Sequence, residues 1–132
     1  MSPQETHHVR QAAGDVLEGI LRSLPVSVTE KRFQAAVRRY ATELGYTVFC
    51  VYDSRRSPKG LPDLILAHRR RRLMLMAELK SEKGRLSPAQ TVAIATLRAA
   101  GVSVSVWRPS MVEEIIARLR EGEMPGQMVQ SK

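Results

Sequence analysis

The sequence predicts an α/β fold in which a mixed sheet is flanked by helices. Four segments carry apolar residues at helical spacing, and four others are short runs rich in β-branched, aromatic or other apolar residues. Their order is helix, helix, three strands, helix, strand, helix, and three adjacent strands followed by a helix and one more strand favour a mixed sheet. At 132 residues the chain is long enough to form one domain with its own core.

The two leading segments both predict helices. The first carries a continuous apolar stripe up to Leu24, and Pro25 ends it. The second, SVTEKRFQAAVRRYATELG, begins with Ser27 and Glu30 at the spacing of a capping box, and Gly45 supplies its stop. We therefore expect an N-terminal helical extension, a main domain and a flexible tail, over residues 1–26, 27–121 and 122–132.

The middle of the chain predicts strands and one well-marked helix. YTVFCVY, PDLILA and LMLMAELK predict three strands, and a turn over Arg69 to Arg72 joins the last two. SPAQTVAIATLRAAG predicts a helix with Ser87 at its N-cap, Gln90 at the N3 position and Gly101 at its stop. VSVSVW predicts the fourth strand, and SMVEEIIARLR predicts a closing helix.

The excess of basic residues predicts a polyanionic partner. The chain has 21 Lys+Arg against 13 Asp+Glu, which gives a net charge of +8, and such a surface attracts nucleic acid first. A basic surface can also serve solubility alone. Here the basic residues cluster in DSRRSPKG and AHRRRRL, which flank a segment that carries an acid. We therefore expect nucleic acid to be the partner.

The rare residue types restrict the possible sites. Cys50 alone cannot form an internal disulfide, and its position in an apolar run suits a reducing cytosol, so we expect a cytoplasmic protein. Three scattered histidines and one cysteine do not make the usual zinc site, so a metal should be a hard cation held by carboxylates. Because no apolar run approaches the ~18 residues that a membrane span needs, we expect no membrane partner.

Three side chains near the middle of the chain predict a site. Glu78 and Lys80 share one face of their strand, and Asp63 begins the preceding strand, which a hairpin would bring alongside. Two carboxylates ~4–5 Å apart repel by roughly 3–4 kcal/mol at an effective dielectric of 20, and a divalent cation would offset that repulsion. The alternatives are a turn role for Asp63 and an ordinary strand-end salt bridge between Glu78 and Lys80. Taken together with the flanking motifs, the three residues favour the metal site.

Glu30 and Gln90 have two possible roles. Each heads an apolar stripe that faces the sheet, so each could reach the same metal-bound water or the phosphate backbone. Each also stands three residues after a capping serine, where Glu or Gln is favoured for local reasons. On this pattern alone, capping is the better explanation for both residues.

The stretches GLPDLIL, MAELKSEKGRLSPAQ, LRAAG and VSVSVW, in this order, resemble the VRR-NUC family of the PD-(D/E)xK nuclease superfamily. The resemblance covers roughly residues 27 to 110. It implies a restriction-endonuclease-like core with a mixed sheet flanked by helices, and Mg²⁺ or Mn²⁺ as the cofactor.

The same resemblance implies roles for individual residues. Asp63 and Glu78 match the metal-binding acids, and the backbone carbonyl of Leu79 matches a further metal ligand. Lys80 matches the catalytic lysine. The family's acid on the first core helix and its helix glutamine are matched by Glu30 and Gln90, which raises both above a purely capping role.

The implied function is that of a metal-dependent, structure-selective endonuclease. Stand-alone family members are similar to Holliday-junction resolvases and are thought to act as homodimers, which implies branched DNA as the substrate and a role in DNA repair or recombination. Two alternatives stay open: a non-catalytic DNA-binding module on the same fold, and a restriction-type, flap or RNA-directed nuclease. Either the apolar stripe of the first helix helps to form the dimer, or it packs back onto its own domain.

The basic residues differ in how close they should lie to the acids. The candidate DNA contacts are those of the loop that leads into Asp63 and those just beyond Lys80, namely Arg55, Arg56, Lys59, Lys83 and Arg85. The run Arg69–Arg72 is either a solvated turn or a DNA contact. If that turn lies at the end of the sheet far from Asp63, it is poorly placed to bind the scissile phosphate.

Overall fold

The computed structural model describes residues 3–51 and 60–121, with side chains from residue 11 onward. Along the chain lie α1 (Pro3–Ser23), α2 (Glu30–Glu43), β1 (Thr47–Cys50), β2 (Leu64–His68), β3 (Leu73–Leu79), α3 (Pro88–Ala99), β4 (Val104–Trp107) and α4 (Val112–Leu119). A 3₁₀ turn over Pro109–Met111 precedes α4. The predicted α/β fold, with a mixed sheet flanked by helices and an extra N-terminal helix, is confirmed.

The described strands form one mixed sheet in the order β1-β2-β3-β4. The first two pairings are antiparallel, whereas β3 and β4 are parallel because α3 carries the chain back along the sheet. In the β2–β3 hairpin, Leu64 pairs with Ala77 and His68 pairs with Leu73. The turn over Arg69–Arg72 therefore lies about 17 Å along the sheet from Asp63. That distance is too great for these arginines to contact a phosphate held at Asp63.

The sheet separates two cores. The larger core combines residues of α1, α2 and α4 with alternate strand positions, including Leu17, Leu21, Phe33, Val37, Tyr40, Leu64, Leu66, Leu75, Leu79 and Leu119. On the opposite face a smaller core joins Met76 and Val104 to Ile94 of α3. Because side chains alternate along a strand, Glu78 lies on the α3 side together with Met76.

Helix α1 packs back onto its own domain. Leu17 and Leu21 are buried in the larger core, so this part of the apolar stripe packs onto its own domain. Val16 and Ile20 stay exposed. The buried Glu18 carboxylate strengthens the contact, since it accepts hydrogen bonds from the hydroxyl of Tyr40 and the guanidinium of Arg120, each at 2.6 Å. Neither α1 nor another helix in the described part of the chain has the length and apolar character needed to cross a membrane.

The start of α2 differs from the prediction. The N-cap is Thr29, whose hydroxyl accepts a hydrogen bond from the backbone N–H of Arg32, so the capping box of Ser27 and Glu30 is wrong. The physical reason is a turn before the helix, closed by the Val28 N–H donating to the Pro25 carbonyl at 2.9 Å, which delays the first helical residue. Glu30 is that first residue, and its side chain is not used as a cap partner in the third helical position.

Candidate active site

Asp63 and Glu78 lie side by side where β2 begins and β3 ends. The pairing of Leu64 with Ala77 sets this register, and two hydrogen bonds hold Asp63 against the end of β3. The backbone N–H of Asp63 donates to Glu78 Oε1 at 3.2 Å, and the backbone N–H of Leu79 donates to Asp63 Oδ2 at 3.0 Å. The structure thus brings together the two acids that the hairpin prediction placed as neighbours.

Glu78 is a buried acid in an unfavourable electrostatic position. Its side chain is 1% exposed, and burial, followed by the negative charge of Asp63, raises its pKa from the usual 4.5 to about 7. The positive charge of Lys80 and the hydrogen bond from the Asp63 backbone lower the pKa, but they offset only part of the rise. Burial and Asp63 therefore disfavour the ionised form of Glu78, and the neighbouring positive charge and hydrogen bond only partly restore it.

Lys80 shares the face of Glu78, as the strand alternation predicted. Its Nζ lies 3.6 Å from Glu78 Oε2, and its side chain is 14% exposed. The backbone N–H of Lys80 donates to the Trp107 carbonyl at 3.0 Å, which extends the β3–β4 pairing past the last assigned residue of β3. Both partners are largely withdrawn from solvent, so this pair differs from a solvated strand-end salt bridge.

Gln90 performs two tasks at once. Its Oε1 accepts a hydrogen bond from the Ser87 backbone N–H at 2.8 Å, and the Gln90 backbone N–H donates to the Ser87 hydroxyl. Together these two hydrogen bonds complete the capping box of α3. Its Nε2 donates to Glu78 Oε2 at 2.9 Å. The two roles that the sequence left as alternatives are therefore compatible, because the amide uses its oxygen for the cap and its nitrogen for the acid.

Glu30 has a weaker link to the site. It is exposed at the first position of α2, and its charge raises the pKa of Glu78 less than burial and Asp63 do. With the capping box excluded, a cap no longer explains an acid at this position.

Gly60 fixes the approach of the chain to Asp63. It has φ +95°, and a Cβ built on it would lie 2.4 Å from the carbonyl oxygen of Ala89 at the start of α3. Only glycine allows this close contact between two backbones. Pro62, which follows two residues later, is fully buried. This contact holds the segment before Asp63 against the helix that carries Gln90.

The turn after β3 carries Lys83 and Arg85, both exposed, and Arg108 holds it in place. Arg108 Nη1 donates to the carbonyls of Ser81 at 2.8 Å, Glu82 at 3.2 Å and Gly84 at 2.6 Å. The sequence does not reveal this role of Arg108, because a lone arginine after a strand carries no local signal for contact with backbone carbonyls some 25 residues earlier. The other predicted DNA contacts, Arg55, Arg56 and Lys59, lie outside the described residues.

The donor set fits a hard divalent cation better than zinc. Among the described residues, no group of three or more His, Cys, Asp or Glu side chains is arranged to hold a metal ion, as a zinc site would require. A magnesium-type ion needs only one or two carboxylates, with water and substrate phosphate completing its coordination. Asp63, Glu78 and the carbonyl of Leu79 offer oxygen donors of that kind, and a cation beside them would favour the ionised form of Glu78.

Two comparisons with known proteins find a match. A family model described as the VRR-NUC domain matches residues 10–111. The chain belongs to the VRR-NUC domain family. A solved structure described as a VRR_NUC domain is similar to it with a TM-score of 0.57 and 27% sequence identity, over 67% of this chain and 96% of that chain. A comparison with curated proteins finds no match. The resemblance based on the motifs is confirmed, and the family implies a nuclease-type fold that binds DNA.

The family match also extends further toward the N-terminus than the motifs did. It begins at residue 10, inside α1, whereas the motif resemblance began near residue 27. Packing of α1 against α2 agrees with this earlier start. The proposed division at residues 26 and 121 stays a prediction.

Proposed function

We propose that this VRR-NUC domain is a Mg²⁺- or Mn²⁺-dependent endodeoxyribonuclease that hydrolyses phosphodiester bonds in branched DNA, with Holliday junctions as the expected substrate. The observation that carries the proposal is the convergence of Asp63, Glu78, Lys80 and Gln90 at one end of the sheet. A basic chain of net charge +8 suits the phosphate backbone of such a substrate.

Each of these residues would have a separate role in hydrolysis. Asp63, Glu78 and the Leu79 carbonyl would hold the cation, which supplies charge neutralisation at the phosphate and a more acidic water when bound. Lys80, beside Glu78, orients or deprotonates the attacking water. Gln90 keeps the Glu78 carboxylate in a fixed orientation through its hydrogen bond. Attack forms a new P–O bond to the water oxygen while the bond to the leaving sugar oxygen breaks. The water gives up one proton, and the leaving oxygen takes one up from solvent to become a hydroxyl.

Branched DNA and a homodimer belong to the same proposal. Symmetric cuts in two opposing strands of a junction require two active sites related by a two-fold axis. The exposed Val16 and Ile20 of α1 are available for such an interface. A cytoplasmic location is proposed on the basis of the single cysteine.

A cleavage panel tests the function directly. Labelled four-way junctions, flaps, single strands and linear duplexes would be incubated with the protein in Mg²⁺, Mn²⁺ or EDTA. We expect metal-dependent cleavage of the branched substrates. Uniform inactivity on all substrates and with both metals would refute the proposal.

Lys80→Ala separates catalysis from binding. We expect this variant to lose cleavage, by about 100-fold or more if Lys80 handles the water proton, while DNA affinity in EDTA changes little. Arg38→Ala removes one positive charge from an exposed position of α2 and is the matched control. Unchanged cleavage by Lys80→Ala would show that Lys80 has no catalytic role. Equal losses of cleavage and affinity would make Lys80 a phosphate contact.

A further inference from the structure

The sheet face that carries the acids is only partly covered by α3. Asp63, Ile65 and Ala67 alternate onto this face from β2 and the residue before it, as do Met74 and Met76 from β3. Ile65 and Met76 pack under α3 in the smaller core. In the described part of the chain, Ala67 and Met74 belong to neither core. Among residues 3–51 and 60–121, the half of the face beyond the α3 contact is therefore left exposed.

An apolar groove with a basic rim occupies this open half. Its volume is about 370 Å³, with Phe49, Ala67 and Met74 as its floor and Arg69 and Arg72 at its edge. Phe49 is 53% exposed and Met74 is 55% exposed, a high fraction for side chains of this size. The residues that line the groove in the described chain include no acid. The groove thus combines an exposed aromatic ring with two cations.

The groove continues the surface of the candidate active site. Phe49 pairs with Ile65, which is two residues from Asp63, so the ring lies about 7 Å along the strands from the acids. Met74 is four residues before Glu78, or about 13 Å away. Since one DNA strand advances by about 3.4 Å per nucleotide in a duplex and by more when it is unpaired, these distances correspond to at most about four nucleotides from the scissile phosphate.

The backbone at Arg72 is a second observation that points to this edge. Arg72 has φ 52°, the left-handed conformation, which glycine or asparagine would adopt at lower cost. An exposed arginine in this position is not explained by the turn alone. Strained backbone at a surface side chain is often associated with a functional role for that side chain.

We propose that this groove binds an unpaired nucleotide of the DNA substrate, with the base stacked on Phe49 and the adjoining phosphates contacted by Arg69 and Arg72. Aromatic rings stack on bases without sequence preference, and arginines track the phosphates. A second copy of the chain is a poorer occupant, because a two-fold contact through this groove would bring like-charged rims together. The inference rests on the broader form of the proposed function, which is cleavage of branched DNA. Within that class it favours substrates with unpaired nucleotides beside the cut, such as flaps, over a fully paired four-way junction.

Equilibrium binding in EDTA tests the groove without cleavage. The probes are a duplex with a short unpaired arm and the same duplex fully paired. We expect Phe49→Ala to weaken binding of the armed duplex by roughly tenfold, and to change binding of the paired duplex by less than about twofold. Phe49→Trp should preserve the affinity, and its exposed indole should be quenched on binding of the arm, against a constant background from Trp107, which is 2% exposed.

Two arginine variants give a matched comparison. Arg72→Gly removes the side chain that disfavours the left-handed backbone, so we expect it to raise the unfolding midpoint. The same variant should bind the armed duplex severalfold more weakly, and the slope of its salt dependence should fall by about one. Arg70→Ala removes an equal charge from an exposed position in the same turn that does not line the groove, and it should leave both affinities nearly unchanged.

Three results would overturn the inference. Phe49→Ala could lose affinity for both duplexes equally, or it could bind the armed duplex as tightly as the wild type. The third result is conversion of a dimer to a monomer by Phe49→Ala in sedimentation. The last result would assign the groove to a second copy of the chain. Failure of cleavage in Mg²⁺ with intact arm-selective binding would refute the nuclease function and leave the groove. Cleavage by a protein whose DNA binding does not depend on Phe49 would support the nuclease function and refute the groove.

Discussion

Glu78→Gln should remove a pH-dependent loss of stability from the metal-free protein. The wild-type carboxylate has a pKa of about 7 in the folded state, raised by burial and by Asp63 from the usual 4.5. Between these two pH values the unfolded chain has released the proton while the folded chain still holds it. Stability therefore falls as the pH rises from about 4.5 to about 7, and it stays at the lower level above that range.

The size of the effect follows from the shift. Each unit of pKa difference corresponds to about 1.4 kcal/mol, so Glu78 costs roughly 3 kcal/mol at pH 8, and most of this develops between pH 5 and pH 8. Glutamine keeps the shape without the charge. However, its amide nitrogen must face either the Gln90 Nε2 or the Asp63 N–H, both of which are donors, and this mismatch costs about 1 kcal/mol. The variant should gain about 2 kcal/mol at pH 8.

Urea unfolding in EDTA at several pH values between 5 and 8 measures this difference. We expect the free energy of unfolding of Glu78→Gln to decline less than that of the wild type, by about 2–3 kcal/mol across the range. Glu114→Gln makes the same chemical change at an exposed position of α4 and is the control. Parallel pH profiles for wild type and Glu78→Gln would show that the acid is not held in an unfavourable site, and the reasoning from burial would then be wrong.

Two further substitutions test how the site is positioned. Gly60→Ala should destabilise the fold by more than about 1 kcal/mol and reduce cleavage, because its Cβ would meet the Ala89 carbonyl at 2.4 Å. Gly101 shares φ +95° but has no atom within 4 Å of the added Cβ, so a Gly101→Ala loss of equal size in urea unfolding would exclude the contact as the cause. Arg108→Ala should lower both kcat and DNA affinity, because the turn after β3 loses its donor, and Arg108→Lys should recover little. Unchanged cleavage kinetics in Arg108→Ala would show that the turn holds itself.

Local patterns were sufficient for the parts of the site that lie on strands. The apolar runs around Asp63 and Glu78 predict two strands, and a short turn between them leaves an antiparallel hairpin as the natural pairing. Side-chain alternation then places Glu78 and Lys80 on one face. The observed pairing of Leu64 with Ala77 agrees with this reasoning. Strand period and a short connection therefore carry most of the information about the acids.

The remaining features depend on tertiary contacts that local patterns do not contain. Ser27 fits a cap as well as Thr29 does, and only the turn before α2 decides between them. The hydrogen bonds from Arg108 to the turn after β3 join positions far apart in the chain. The apolar stripe of α1 is compatible with a partner or with its own domain, and burial of Leu21 in the core shows the latter for that residue. In each case the deciding contact comes from another element.

The direction of the pKa shift at Glu78 supports the proposed cation site over an ordinary ion pair. In a structural salt bridge the lysine dominates, and the pKa of the acid falls below its usual value. At Glu78 the pKa rises despite Lys80 at 3.6 Å, because burial and Asp63 outweigh the lysine. Such an arrangement destabilises the metal-free fold, and packing alone does not require an acid at this position. A bound cation would reverse that cost, since it favours the ionised carboxylates that the metal-free site disfavours. In the proposed site, the bound cation would thus offset the same burial that disfavours the ionised Glu78 in the metal-free protein.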